Sequence, residues 1–189
     1  MLEKLIQFDT ELFLFLNSFN SPFWDKVMWI ISDTKTWIPL YLLVLFFVFK
    51  KNKTKGFITL FFMIALIFIA DQSSVLFFKN TFQRFRPCHN EAISNLVHIV
   101  NNKCGGLYGF VSSHATNTFA FAIFTALFFN KRYIYYLLFF WAFIVSYSRI
   151  YLGVHYPADI ICGAILGLFI GFLIYKFYDF SLKKLFIKK

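Results

Sequence analysis

A chain of 189 residues that is 59% hydrophobic and 23% aromatic, with 30 Phe, is too apolar for a soluble domain, because it lacks the polar surface to cover such a core. The formal net charge of +10 would suggest nucleic acid in a soluble protein. Here the Lys and Arg fall in short clusters beside apolar runs, a pattern of membrane topology and anionic lipid that excludes nucleic acid as the expected partner.

In chain order, residues 2–20 place Leu5, Phe8, Leu12, Phe15, Leu16 and Phe19 at helical spacing with polar residues between. This predicts a helix lying in the membrane interface, since Asp9 and Glu11 oppose a spanning segment. No small-residue cleavage site marks residues 1–20 as a signal peptide. Five apolar spans follow: Trp37–Phe49, beginning earlier near Val27 or Trp29, then Phe57–Phe78, Ala115–Phe129, Tyr133–Tyr147 and Ile160–Tyr178. The fold class is therefore all-α, an integral membrane bundle of about five spans, or six if the N-terminal helix also crosses, in one domain over residues 1–189. Trp24, Trp29, Trp37 and Tyr41 suit an interfacial belt. Pro157 suits the first turn of the last span, where Gly163, Gly167 and Gly171 recur at a spacing that allows close helix contact.

Charge sets the orientation. Lys50, Lys51, Lys53 and Lys55 lie between spans one and two. Lys131 and Arg132 lie between spans three and four, and Lys176, Lys183, Lys184, Lys188 and Lys189 follow span five. With five spans all three regions share one side, which the positive-inside rule makes cytoplasmic. The polar segments Lys79–His114 and Arg149–Asp159 then share the outer side.

Those outer segments carry the chemistry. They read Lys79-x6-Arg86-Pro87, then Ser112-Ser113-His114, then Ser148-Arg149-x5-His155-x3-Asp159. Arg86 and Arg149 offer planar forks that match phosphate oxygens, and Lys79 adds a point charge. Ser112 and Ser113 offer hydroxyls and backbone N–H groups at a helix start, which favours anions. Asp159 stands four residues after His155, so it can fix the imidazole tautomer and leave the other nitrogen free to attack. His114 can protonate a leaving group. No carboxylate cluster suited to Mg²⁺ is visible, so neither metal nor other cofactor is expected. Three cysteines are present. Cys88 and Cys104 share a polar loop and either pair, if the loop faces an oxidising compartment, or remain free thiols.

These three blocks resemble the type 2 phosphatidic acid phosphatases (PAP2), membrane lipid phosphatases that share a catalytic core with vanadium haloperoxidases. Their pattern is K-x6-RP, PSGH and SR-x5-H-x3-D. The first and third blocks match in full, and the resemblance spans about residues 71–170. In the middle block Val111 replaces Pro and Ser113 replaces Gly. The Ser113 side chain is expected to take space in the phosphate pocket, and Val111 to loosen the start of span three. The resemblance implies that His155 forms a phosphohistidine, that Asp159 orients it, and that His114 is the general acid. It also implies that Lys79, Arg86, Ser112, Ser113 and Arg149 bind the phosphate. Asp71 is read as a support for Lys79 or Arg86, Arg84 as an extension of the basic rim, and His89 and His98 as loop residues.

The implied function is a lipid phosphatase of a bacterial inner membrane, acting at the outer leaflet on a membrane lipid phosphate. Undecaprenyl diphosphate is the first expected substrate, with lipid A phosphate and phosphatidylglycerophosphate as alternatives. A vanadate-dependent haloperoxidase is disfavoured by the apolar spans, and a non-catalytic lipid-binding protein by the intact His155, Asp159 and His114. The oligomeric state is left open by the sequence.

Overall fold

The computed structural model describes residues 2–51 and 53–186. Among the described residues seven helices dominate: α1 (Leu2–Asn17), α2 (Pro22–Ser32), α3 (Ile38–Lys51), α4 (Lys53–Ser73), α5 (Ser113–Phe129), α6 (Arg132–Tyr151) and α7 (Pro157–Phe186). Among the described residues the only β pairing is an isolated bridge between Phe85 and Tyr108. Helix α4 runs on through a π-helical stretch, Ser74–Lys79, and a last turn, Asn80–Phe82.

Among the described residues three helical runs are long and apolar enough to cross a membrane: Lys53–Phe82, Arg132–Tyr151 and Pro157–Leu185. Phe57, Phe61, Phe68, Phe140, Phe143, Phe169 and Phe177 stand exposed on them, as expected where lipid rather than water covers the surface. Helix α5 is shorter, at 17 residues. Its buried Ala115, Ala120, Phe121, Ala122, Phe124 and Ala126 place it at the centre of the bundle. This is a multi-pass membrane protein.

The first expected span is not one helix. Helices α2 and α3 meet at a 65° bend and together account for up to one further span. The cause is Ser32-Asp33-Thr34, short polar side chains that compete with the backbone ladder. Asp33 accepts from Lys35 N (3.0 Å) and caps the next turn. The carbonyls freed at the end of α2 are met by Thr36 Oγ1 to Ile30 O (2.7 Å) and Trp37 Nε1 to Ile31 O (2.8 Å). Trp37 and Tyr41, expected in the belt, also pack inward, their rings 5.6 and 6.2 Å from that of Trp141.

Helix α1 is too short to span, at 16 residues. Asp9, Phe13 and Asn17 recur every four residues as its buried stripe, so its polar line faces protein. Leu2, Leu5, Ile6, Phe8 and Phe15 are exposed, the arrangement of a helix seated at an interface.

The two ends of the bundle differ. At one end Lys51 Nζ reaches Phe128 O (3.3 Å), and Thr59 and Tyr178 share a hydroxyl hydrogen bond (3.0 Å). The basic residues Lys50, Lys51, Lys53, Lys55, Lys131, Arg132, Lys183 and Lys184 gather here. Lys188 and Lys189, expected in the same cluster, lie outside the described residues. At the other end the close of α4, the start of α5, the close of α6 and the start of α7 converge.

Helices α5 and α7 form the most extensive helix pair, and the glycine stripe explains it. A Cβ at Gly163 would lie 2.8 Å from Ser112 O, at Gly167 2.2 Å from Thr116 O, and at Gly171 2.6 Å from Ala120 O. Backbone packs on backbone here, and this fixes the start of α5 against α7. Gly167→Ala is therefore expected to lower the melting temperature in detergent. Overpacking costs roughly 1–3 kcal/mol, and each kcal/mol corresponds to about 2–4 °C at this chain length. Gly106→Ala, with nothing within 4 Å of the added carbon, should melt with the wild type. Equal melting of all three proteins would contradict the packing account.

Candidate active site

At the converging end, three polypeptide segments meet on one imidazole. Tight turns after α6 carry the chain through Leu152–Tyr156, where Gly153 holds φ +78 and a side chain would meet His98 O at 2.6 Å. This turn leaves His155 buried, 1% exposed, directly before α7. Asp159 lies in the first turn of α7 and is fully buried. Its Oδ2 meets His155 Nδ1 at 3.2 Å and accepts from Tyr156 N at 3.0 Å.

Arg86 fixes the tautomer. Its Nη1 lies 3.1 Å from His155 Nε2 and 3.1 Å from Val154 O, while its Nε donates to Gly106 O at 2.6 Å. A guanidinium has no acceptor, so Nε2 must accept. The proton of the neutral ring is then on Nδ1, facing Asp159. Burial, and then the charges of Arg86, Arg149 and Lys79, hold the His155 pKa well below its ordinary 6.5. The ring is therefore an unprotonated base at neutral pH, with its free lone pair directed at a cation. Burial also lowers the Arg86 pKa, against the raising effect of Asp159.

The other expected ligands surround this ring. The π-helical stretch changes the residue count per turn and delivers Lys79 to Ser113, whose Oγ accepts from Nζ at 2.7 Å and pairs with Ser74 Oγ at 2.7 Å. Ser112 N donates to Asp159 O (3.0 Å), tying the start of α5 to α7. Ser112 Oγ and Arg149 Nε are buried polar atoms with no hydrogen-bond partner, and Arg149 Nη1 donates to Ser32 Oγ. Buried donors left open in this way fit an anion's oxygens. His114 lines a cavity of about 710 Å³ whose wall includes Trp37, Tyr41, Leu60, Ile64, Ile67, Phe68 and Ser113. An apolar cavity with a few polar groups at one end suits an amphiphile.

Several expectations change. Ser113 does not simply crowd the phosphate pocket, because its hydroxyl is engaged with Lys79. Val111 is fully buried and packs the start of α5 rather than loosening it. Asp71 supports Lys79 through its negative charge alone, with no hydrogen bond to either cation. It accepts from Asn117 Nδ2 at 3.4 Å, because the π stretch lies between it and Lys79 and periodic counting does not carry across. Arg84 is no outer rim residue: it pairs with Asp9 Oδ2 (2.7 Å) and Asp159 Oδ1 (3.0 Å). His98 is a loop residue that pairs with Asp25 (2.9 Å).

Sequence reasoning missed Gly109. A Cβ there would stand 3.0 Å from Asp159 Oδ2, 3.2 Å from Arg86 Cγ and 3.4 Å from His155 Nδ1, so the backbone closes the site where a side chain would press on it. Its position follows from Gly109 N donating to Arg84 O (2.9 Å) and Arg86 N to Leu107 O (3.0 Å). Cys88 and Cys104 form a disulfide that closes the intervening loop. With His89 they are the one cluster among the described residues with metal-ligand spacing, but the bonded sulfurs are not thiolates.

A membrane bundle that surrounds an activated imidazole with cations is the architecture of a lipid phosphatase. The sequence pattern of the PAP2 superfamily matches residues 55–183, and the chain belongs to that superfamily. It is 42% identical over 93% of its length to a lipid A 4′-phosphatase of Bacteroides thetaiotaomicron, 79% of which is covered. It is 30% identical over 90% of its length to an undecaprenyl-diphosphatase of Sulfolobus acidocaldarius, also covered to 79%. In fold it is similar to the crystal structure of a transmembrane PAP2 type phosphatidylglycerolphosphate phosphatase from Bacillus subtilis. That TM-score is 0.74 at 22% identity, covering 93% of this chain and 87% of the other. The protein is thus a phosphoric ester hydrolase of the membrane, a PAP2 lipid phosphatase.

Proposed function

We propose that the chain, as one domain over residues 1–189, removes the 4′-phosphate of lipid A at the outer leaflet of a bacterial inner membrane. The observation that carries the substrate is the 42% identity to a lipid A 4′-phosphatase across almost the whole chain, against 30% to an undecaprenyl-diphosphatase. The alternative substrate of the sequence analysis thereby replaces undecaprenyl diphosphate as the first reading. The acyl region would occupy the 710 Å³ cavity, which opens among apolar residues of α3 and α4 and ends at His114.

In the proposed reaction the phosphate seats among Lys79, Arg86, Ser112 and Arg149, with Ser113 holding the Lys79 ammonium. Phosphoryl transfer requires chiefly positioning and charge neutralisation. Phosphate oxygens draw the Arg86 guanidinium from Nε2, and the His155 lone pair attacks phosphorus. His114, protonated beside the bound phosphate anion, gives that proton to the leaving oxygen as the P–O bond to the sugar breaks, and is left neutral. Asp159 stabilises the charge that the ring acquires. Water, deprotonated by His114, then attacks the phosphohistidine, releases phosphate and restores neutral His155.

Purified protein is expected to release phosphate from lipid A at a kcat/KM at least about tenfold above that for undecaprenyl diphosphate, a discrimination worth about 1.4 kcal/mol. His155→Ala should lose at least about a thousandfold with melting unchanged. Equal rates on both lipids would overturn the substrate, and an active His155→Ala protein would overturn the nucleophile.

The outer placement of the site is supported by the gathering of basic residues at the opposite end and by the disulfide in the site-side loop. Asn95, exposed in that loop, provides the test. In a protein with Cys88, Cys104 and Cys162 replaced, Asn95→Cys should react with an impermeant thiol reagent in cells whose inner membrane is intact. Reaction only after that membrane is permeabilised would reverse the orientation.

A further inference from the structure

We infer that Asp9 is a positioning residue for the hydrolase reaction: through Arg84 it holds Asp159, and so links the N-terminal interfacial helix to His155. The inference rests on the reading of His155 as nucleophile.

Every link is a direct contact. Asp9, 8% exposed, is the first residue of the buried stripe of α1. Its Oδ2 accepts from Arg84 Nη2 at 2.7 Å. Arg84 Nη1 donates to Asp159 Oδ1 at 3.0 Å, leaving Asp159 Oδ2 to His155 Nδ1 at 3.2 Å and Tyr156 N at 3.0 Å. The other oxygen of Asp9 accepts from Ala158 N at 2.8 Å. It thereby satisfies a free N–H in the first turn of α7, a capping role supplied from a distant helix. The guanidinium of Arg84 lies 4.0 Å over the Tyr156 ring, which limits its orientation. One carboxylate thus fixes both the arginine that holds Asp159 and the helix start that carries Asp159.

Charge gives this relay a consequence beyond packing. The groups facing His155 are Arg86 from the loop, Lys79 from the end of α4, His114 from α5, Arg149 from α6 and Asp159 from α7, with Arg84 and Asp9 behind Asp159. Asp9 divides the positive charge of Arg84 between two carboxylates. Without Asp9 the whole charge falls on Asp159, which is then less able to stabilise the imidazolium form of His155. Removing a negative charge lowers the pKa of a nearby base. A residue that merely anchored α1 would not move that pKa.

The experiment uses purified full-length protein and a lipid phosphate that the wild type hydrolyses. In Asp9→Asn, which keeps an oxygen for Ala158 N, kcat should fall about tenfold, the size seen when a supporting carboxylate is lost, with KM within about twofold. The acidic limb of kcat/KM should shift to lower pH by about half a unit. Asn17→Ala supplies the control. It loosens α1 elsewhere, where Asn17 Nδ2 donates to His98 O, Ile150 O and Tyr151 O (3.1, 3.2 and 2.8 Å), and its kcat and acidic limb should match the wild type. An Asp9→Asn protein with wild-type kcat and pH profile would overturn the inference. So would a fall in kcat with an unmoved limb that Asn17→Ala reproduces. Should Asp9→Asn not fold, Arg84→Lys decides: its ammonium lacks the two-nitrogen fork that holds the two carboxylates apart and in plane, so kcat should fall, and wild-type kcat would overturn the relay. His155→Ala separates the two readings. If it is active, the nucleophile assignment fails. If it is dead while Asp9→Asn is unimpaired, only the Asp9 relay fails.

Discussion

One buried imidazole is held at both nitrogens, by a carboxylate on Nδ1 and a guanidinium on Nε2, and the rest of the structure is arranged to make that possible. An arginine beside an unprotonated nitrogen is stable only if the ring stays neutral and the arginine has other acceptors. Gly106 O and Val154 O supply them. They belong to the backbone turn before α5 and the turn before α7, so the arginine and the histidine are placed by the same loops. Gly109, in the same segment as Gly106, then brings the backbone close enough to exclude any side chain from the gap.

Charge burial sets the second constraint. Several cations and carboxylates lie at the end of a membrane bundle, where each unpaired ion costs several kcal/mol. The arrangement pairs the inner set (Asp9, Arg84 and Asp159) among themselves. Arg149 and Ser112 keep buried polar atoms without protein partners. In the proposed reaction Asp9, Arg84 and Asp159 position the histidine, while the open atoms of Ser112 and Arg149 join Lys79 and Arg86, which exchange protein partners for phosphate oxygens. The backbone contact of α5 with α7 keeps the two sets in register, since Ser112 lies at the start of one helix and Asp159 at the start of the other.

The membrane class, and the residues that converge around His155, are legible in the sequence because their signals are local. Apolar runs mark spans, basic clusters mark one end, and three short blocks carry His155, Asp159, Arg86 and Lys79 at fixed spacing. The α5–α7 contact was visible for the same reason, in the spacing of Gly163, Gly167 and Gly171. What stayed hidden depends on distant chain segments meeting. Asp9 and Arg84 read as an interfacial helix residue and a rim cation, because nothing near either one points to Asp159. Gly109 carries no local mark of its close approach to the histidine. The packing of Trp37 and Tyr41 on Trp141 carries no local mark either, because amphipathic rings suit both an interface and a core. The bend after Ser32 did have a local signal, in Ser32-Asp33-Thr34, which the apolar run on either side outweighed.

The central claim is that His155 carries the phosphoryl group. The direct measurement is to mix purified enzyme with lipid A labelled with ³²P at the 4′-phosphate, quench within one turnover in alkaline denaturant, and map the labelled peptide. A phosphohistidine should appear as label that survives alkali, is lost in acid, and lies on the peptide containing His155. Label on another residue, or an active enzyme from which no covalent label can be trapped, would contradict the account.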